Sequence, residues 1–184
     1  TVTGALGQAS GSHLHALAHA RDPRAVVPSQ AAKSISHEET FPRDRFRRDE
    51  LDVEAVRLSD AVATRLRRSG VVGRTVTVKV RFGDFTTITR SATVDGGLDS
   101  GHQLARIARE LLAGVDPSPG VRLLGVGVSQ LDDRGNWQLS LDDLLATETA
   151  EGGADWSTAE EAMDAVRARF GDGALGPASL AGPS

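Results

Sequence analysis

Between Gly73 and Val94 the chain reads GRTVTVKVRFGDFTTITRSATV. A period of two sends the valines and Phe82 to one side of a strand, and Thr75, Thr77, Lys79 and Arg81 to the other. With turn residues at Gly83 and Asp84, the stretch is read as a β-hairpin, Val72–Phe82 and Thr86–Val94. Its polar side offers a lysine, an arginine and threonine hydroxyls with no carboxylate among them. That set suits nucleic-acid phosphates, although any half-buried antiparallel sheet shows the same alternation. In the second strand Arg90 shares a parity with Ile88 and Val94, so it reaches the polar side only through a bulge or a register change.

The flanking segments supply a fold for this hairpin. Before it, Ser34 to Phe41 alternates and stops at Pro42, a first strand. Ala55, Val56, Val62, Ala63 and Leu66 then recur at helical spacing, predicting a helix over Asp52–Ser69 with Arg65, Arg67 and Arg68 at its carbonyl end and Gly70 after it. After the hairpin, Leu104, Ile107, Leu111 and Leu112 mark a second amphipathic helix, Ser100–Ala113, capped by Asp99 or Ser100. A last strand, Val121–Leu131, alternates Leu124, Val126 and Val128 with Gly125, Gly127 and Ser129, and such small outward residues let a partner's backbone approach. The order is βαββαβ: an α+β split βαβ unit, a four-stranded sheet with two helices on one face and the other face open.

At 184 residues, 39% of them apolar, the chain suffices for one good core plus flanking segments. The absence of cysteine excludes disulfides, thiolate zinc sites and cysteine nucleophiles. No apolar run has the length of a membrane span and no signal-peptide pattern opens the chain, so a cytoplasmic protein is expected. The formal net charge of −4 argues against a nucleic-acid binder, but the charge is unevenly spread. Basic residues crowd the region from Lys33 to Arg90, and acidic ones prevail beyond Asp132. Asp132 with Asp133, and Asp142 with Asp143, are adjacent pairs in loops and are read as solvated charge.

The ends are simpler. Ser12–Ala20 is a short helix after glycines at 4, 7 and 11, and no GK[ST] follows to make a nucleotide loop. His15 and His19, four apart, lack a third metal ligand. Residues 21–32, with two prolines and no period, are a linker. Ala146–Gly153 is acidic linker, and Ser157–Phe170 is a helix with a Ser157/Glu160 capping box and a Met163, Val166, Phe170 stripe. That stripe is expected to dock on the body. The chain opens at Thr1 without methionine, inside a helical unit, and is expected to be a fragment of something longer.

KSISHEETF, GRTVTVKVRFGDFTTITRS and GVRLLGVGVSQL, in that order, resemble the little-finger domain of Y-family lesion-bypass DNA polymerases of the DNA polymerase IV type. LGQASGSHLHALAHARDPRAVVP resembles the end of the thumb and its tether in the same enzymes. The resemblance covers about residues 1–144 and divides the chain into thumb remnant (1–20), linker (21–32), little finger (33–132), clamp-binding segment (133–145) and a flexible tail with a short helix (146–184).

That resemblance implies a sheet lying in the major groove of double-stranded primer-template DNA. The phosphate contacts it implies are Lys33, Ser34 and Ser36, then Thr75, Thr77, Lys79 and Arg81, then Thr87, Thr89, Arg90 and Ser91. Many members carry an arginine where this chain has Ala92. The same resemblance implies that Gln138, Leu139, Ser140, Leu141 and Asp142, with Leu144 completing the set, dock into a sliding clamp, leucines in a groove and glutamine at its rim. Asp142 stands where the family usually has an aromatic or leucine. Polymerase chemistry in the family rests on palm carboxylates that hold Mg2+. Those motifs should precede the thumb, so the chain is expected to bind DNA as a monomer without catalytic residues, metal or cofactor of its own. Two other uses share the βαββαβ order: a single-strand RNA-binding module of RRM type, which normally stacks bases on sheet aromatics, and a regulatory or structural ferredoxin-like domain, which leaves the basic face unexplained.

Overall fold

Alternation becomes strand and helical spacing becomes helix in the computed structural model, which describes residues 4, 6–25, 31–136 and 156–180. The chain divides into two compact units, Thr1–Ala31 and Ala32–Ser184. The first holds α1 (Gln8–Ala18), in which His19 Nδ1 lies 2.9 Å from the His15 carbonyl oxygen.

The second unit contains β1 (Ser34–Arg45), α2 (Arg48–Arg68), β2 (Val71–Phe82), β3 (Thr87–Leu98), α3 (Gly101–Ala113), β4 (Val121–Ser129), the two-residue β5 (Asp132–Asp133) and α4 (Trp156–Phe170). The main sheet has the order β1-β4-β2-β3 and every neighbouring pair is antiparallel. β4 thus lies between β1 and β2, and β2 between β3 and β4. This is the expected split βαβ arrangement, with α2 and α3 as the two crossovers. Val76, Val78 and Val80 of β2 meet Leu124, Val126 and Val128 of β4 beneath Leu58, Val62 and Leu66 of α2 and Leu104, Ile107 and Leu112 of α3, all buried. Burying each such side chain contributes about 1.5–3 kcal/mol, which is why the helices stay on one face.

Several boundaries differ from the sequence reading: besides shifts of one residue, the first helix runs over Gln8–Ala18 rather than Ser12–Ala20, and β4 stops at Ser129 rather than Leu131. β1 runs on through Pro42 to Arg45, because it is an edge strand whose outer side has no ladder for the missing N–H to serve, and its register slips between Thr40 and Arg45. α2 begins at Arg48 rather than Asp52. The Arg48 guanidinium donates to the carbonyls of Leu112, Ala113 and Val115, at and just past the end of α3, where helical carbonyls run short of donors. β3 extends to Leu98 beyond a slip opposite Gly73/Thr75. Asp132 and Asp133, read as loop, pair with Val72 and Val71 while remaining exposed.

The hairpin turn also has its own chemistry. Asp84 accepts from the Thr86 amide at 2.8 Å, and the left-handed residue is Phe85, at φ 68°, rather than a glycine. The Arg122 guanidinium covers the Phe85 ring at 5.6 Å and is itself held by Asp44 at 2.7 Å.

Candidate nucleic-acid interface

Residues directly opposite one another in a sheet share a face. The register therefore aligns four rows on the side away from the helices: Ser34, Ser129, Thr75 and Thr93; Ser36, Gly127, Thr77 and Ser91; Glu38, Gly125, Lys79 and Thr89; Thr40, Leu123, Arg81 and Thr87. Ten of the eleven expected contacts belong to this face or, for Lys33, to the exposed bend at its margin. Sequence parity found them because no bulge interrupts β2 between Thr75 and Arg81.

Arg90 is the exception. It pairs with Val78 and shares the helix-side parity of Ile88 and Ala92, and the only slip between β2 and β3 lies at Gly73/Thr75, too far away to turn it over. It is exposed along the sheet edge, not on the hydroxyl-bearing face.

Hydrogen bonds order the polar rows. Thr75 Oγ1 lies 2.8 Å from Thr93 Oγ1, and Thr77 Oγ1 lies 3.0 Å from Ser91 Oγ. Each pair uses one hydroxyl proton, so the accepting partner keeps its own O–H for an external oxygen. Arg81 Nε donates to Thr87 Oγ1 at 3.0 Å, a neutral partner, and no carboxylate among the described residues pairs with its guanidinium. Lys79 differs: its Nζ lies 2.8 Å from Glu38 Oε2. The face read from the hairpin as free of carboxylates thus acquires one from β1. Glu38 shares the parity of Ser34, Ser36 and Thr40, so its side was legible; its distance from Lys79 required the strand order.

Small residues form the floor. An added Cβ at Gly125 would come 3.0 Å from Glu38 Cβ, and at Gly127 3.0 Å from Ser36 Cβ. The resulting groove, about 310 Å³, is lined by Ser34, Ser36, Glu38, Thr77, Lys79 and Ser129 among others. From beneath, Arg65 of α2 donates to the Ser36 carbonyl at 3.0 Å and fixes the edge strand. Sequence reading placed Arg65 only at the helix end. His37, on the helix side of β1, has a buried Nδ1 with no hydrogen-bond partner among the described residues. Burial, then the charges of Arg65 and Arg57, lower its pKa against the opposing pull of Glu39 and Glu54.

No aromatic ring stands in the four rows, so the base stacking of an RRM has no platform here. Among the described residues, no group of three or more His, Asp or Glu side chains is placed to hold a metal ion. None of their helices is long and apolar enough to cross a membrane. The expected clamp-binding set, Gln138, Leu139, Ser140, Leu141, Asp142 and Leu144, lies outside the described residues.

Comparison with known proteins agrees with the geometry. Residues 32–141 match the model of the impB/mucB/samB family C-terminal domain. DNA polymerase IV of Streptomyces coelicolor is 48% identical over 128 residues, covering 70% of this chain and 27% of that protein. DNA polymerase IV of Desulfatibacillum aliphaticivorans is 38% identical over 174 residues, covering 93% and 42%. A chimeric Y-family DNA polymerase structure aligns over 71% of this chain and 38% of its own, at 17% identity and a TM-score of 0.53, a likeness of fold. The chain spans less than half the length of these curated relatives. With a family domain over most of its length and the little-finger strand order beneath it, the chain belongs to the Y-family DNA polymerases of the DNA polymerase IV type, as a C-terminal part containing the little finger.

Proposed function

We propose that the helix-free face of this domain grips the phosphates of a primer-template duplex, and that Gln138, Leu139 and Leu141 tether the chain to a sliding clamp during translesion synthesis and repair. One observation carries the DNA reading: the register aligns hydroxyls from β1, β2 and β3 with Lys79 and Arg81 over a glycine floor, a surface that a phosphate backbone can approach closely. Phosphate contacts of this kind position the duplex without reading its sequence, as a polymerase requires. A tether to a clamp on the same DNA raises the effective concentration toward the ~mM range and offsets a loose grip. Nucleotidyl transfer belongs to the palm carboxylates of the whole enzyme, so this chain alone binds primer-template and does not extend it.

The test is fluorescence anisotropy of a labelled primer-template duplex at several salt concentrations. Affinity should fall linearly in log salt, with a slope of about −0.9 per phosphate contact and roughly four to six contacts. Lys79→Ala with Arg81→Ala should make the slope shallower by about two contacts while leaving the thermal midpoint of the domain in place. Unchanged duplex binding in that variant would remove the face from the interface.

A further inference from the structure

The C-terminal helix docks by its charges. Glu160, Asp164 and Arg167 stand at i, i+4 and i+7 and so share one face of α4. That face is the buried one: the side chains of Arg167 and Glu160 keep 5% and 9% of their exposure, whereas Phe170, expected in an apolar docking stripe, is 68% exposed. The Ser157 side chain of the expected Ser157/Glu160 box lies outside the described residues. The helix already begins at Trp156, and the Glu160 carboxylate leaves its own helix.

It goes to a site built by α2 and α3. Glu160 accepts from Ser100 Oγ at 3.0 Å and from the Gly101 and His102 amides at 3.0 and 3.1 Å, first-turn donors that α3 itself cannot satisfy. Arg67, with only 6% of its side chain exposed, donates to Glu160 at 2.6 Å and to Asp164 at 2.7 Å. Burial works against the Arg67 charge, but Asp164, Glu160 and Asp99 outweigh it and hold the guanidinium protonated. On the far side Arg167 reaches Asp60 at 2.9 Å and Thr64 at 3.2 Å. Apolar filling is incomplete: a cavity of about 790 Å³ remains where α2, α3 and α4 meet, with Val56, Ala105 and Met163 in its wall.

Most surface helices are held by an apolar stripe. Here Phe170 is out of the contact, Met163 and Val166 are half-buried, and the charges are fully in it. An uncompensated charge in such a site is expensive, so the surface selects a helix that offers acid, acid and arginine at these three positions. We infer that Arg67, Ser100, the amino end of α3 and Asp60 form a docking site for an acidic helix, with α4 as its resident ligand in cis, exchangeable for the same helix supplied in trans.

The experiment uses the full chain carrying Glu160→Gln and Asp164→Asn, and a fluorophore-labelled peptide of residues 156–170. A helix of this length is marginal in water once undocked. Amide hydrogen exchange across 156–170 should therefore lose its protection in the variant while the sheet amides keep theirs. The peptide should bind the variant with a dissociation constant of about tens of micromolar, because it must fold as it docks. It should bind the unsubstituted chain at least about tenfold more weakly, since that site is filled, and a peptide with the same two changes should bind neither. Retained protection in the variant, or equal peptide binding to both chains or to neither, would overturn the inference. Because Glu160 also caps α3, a second variant, Asp164→Asn with Arg167→Gln, keeps the Glu160 carboxylate itself unchanged. It too should lose protection over 156–170, and protection kept there would overturn the inference independently of any folding defect in the first.

Discussion

Two ion pairs between a basic side chain and a glutamate, one on each side of the same domain, do opposite things. Lys79–Glu38 lies on the helix-free face with 36% and 51% of its side chains exposed. Arg67–Glu160 lies beneath α4 with 6% and 9% exposed, and the two contacts are 2.8 and 2.6 Å long. Geometry hardly separates them; solvent does. An exposed pair contributes between nothing and about 1 kcal/mol, because water solvates either partner almost as well. A buried pair cannot lose one partner without stranding the other in a poor solvent. The first arrangement is suited to exchanging its carboxylate for an incoming phosphate. The second is suited to holding an element in place.

The sharpest way to break this comparison is Arg67→Ala. It strands Glu160 and Asp164 together in the docking site, and about 3–5 kcal/mol of stability should be lost, read as a lower midpoint in urea denaturation. A loss below about 1 kcal/mol would place this pair in the exposed class after all.

The exposed pair should respond in the opposite sense. Glu38→Gln frees Lys79 and removes the acid from the rows at almost constant shape, so duplex affinity by anisotropy should rise, by about fivefold at low salt, with stability changed by less than about 0.5 kcal/mol. Weaker binding in that variant would mean that Glu38 orients Lys79 for its phosphate rather than competing with it.

How much of this could be read beforehand depended on distance along the chain. Parity within β2 placed Thr75, Thr77, Lys79 and Arg81 correctly, because a strand's period is local and no bulge falls among them. Parity also flagged Arg90 as the misfit, and the register bears that out. The Lys79–Glu38 contact was not legible from either segment, for it depends on β4 inserting between β1 and β2. The α4 face was read only in part, for the same reason: the helix docks, but Phe170 is left outside. Met163, Val166 and Phe170 are a visible stripe, but burial of Glu160 and Arg167 is decided by Arg67 and Asp60, far away in sequence. Local periodicity reports which residues share a side, and only the partner decides which side is inside.

The smallest expected effect lies between the two faces, at His37. Its ring sits on the helix side of β1 with Arg65 and Arg57 of α2 on the cationic side of the balance and Glu39 and Glu54 on the anionic side. Burial leads in lowering its pKa, so the unfolded chain takes up a proton at a higher pH than the folded one does. Stability is therefore full above the ordinary imidazole value and declines as pH falls through it toward the lowered folded value. His37→Asn should flatten the urea midpoint between about pH 7 and pH 5, and an equally steep decline in the variant would assign the acid sensitivity elsewhere. Because Arg65 also holds the Ser36 carbonyl, protonated His37 would repel the residue that fixes the edge of the hydroxyl-bearing sheet. Duplex affinity at pH 5 should then fall in the parent chain by more than in His37→Asn, which links an inward-facing ring to the outward-facing rows through a single arginine.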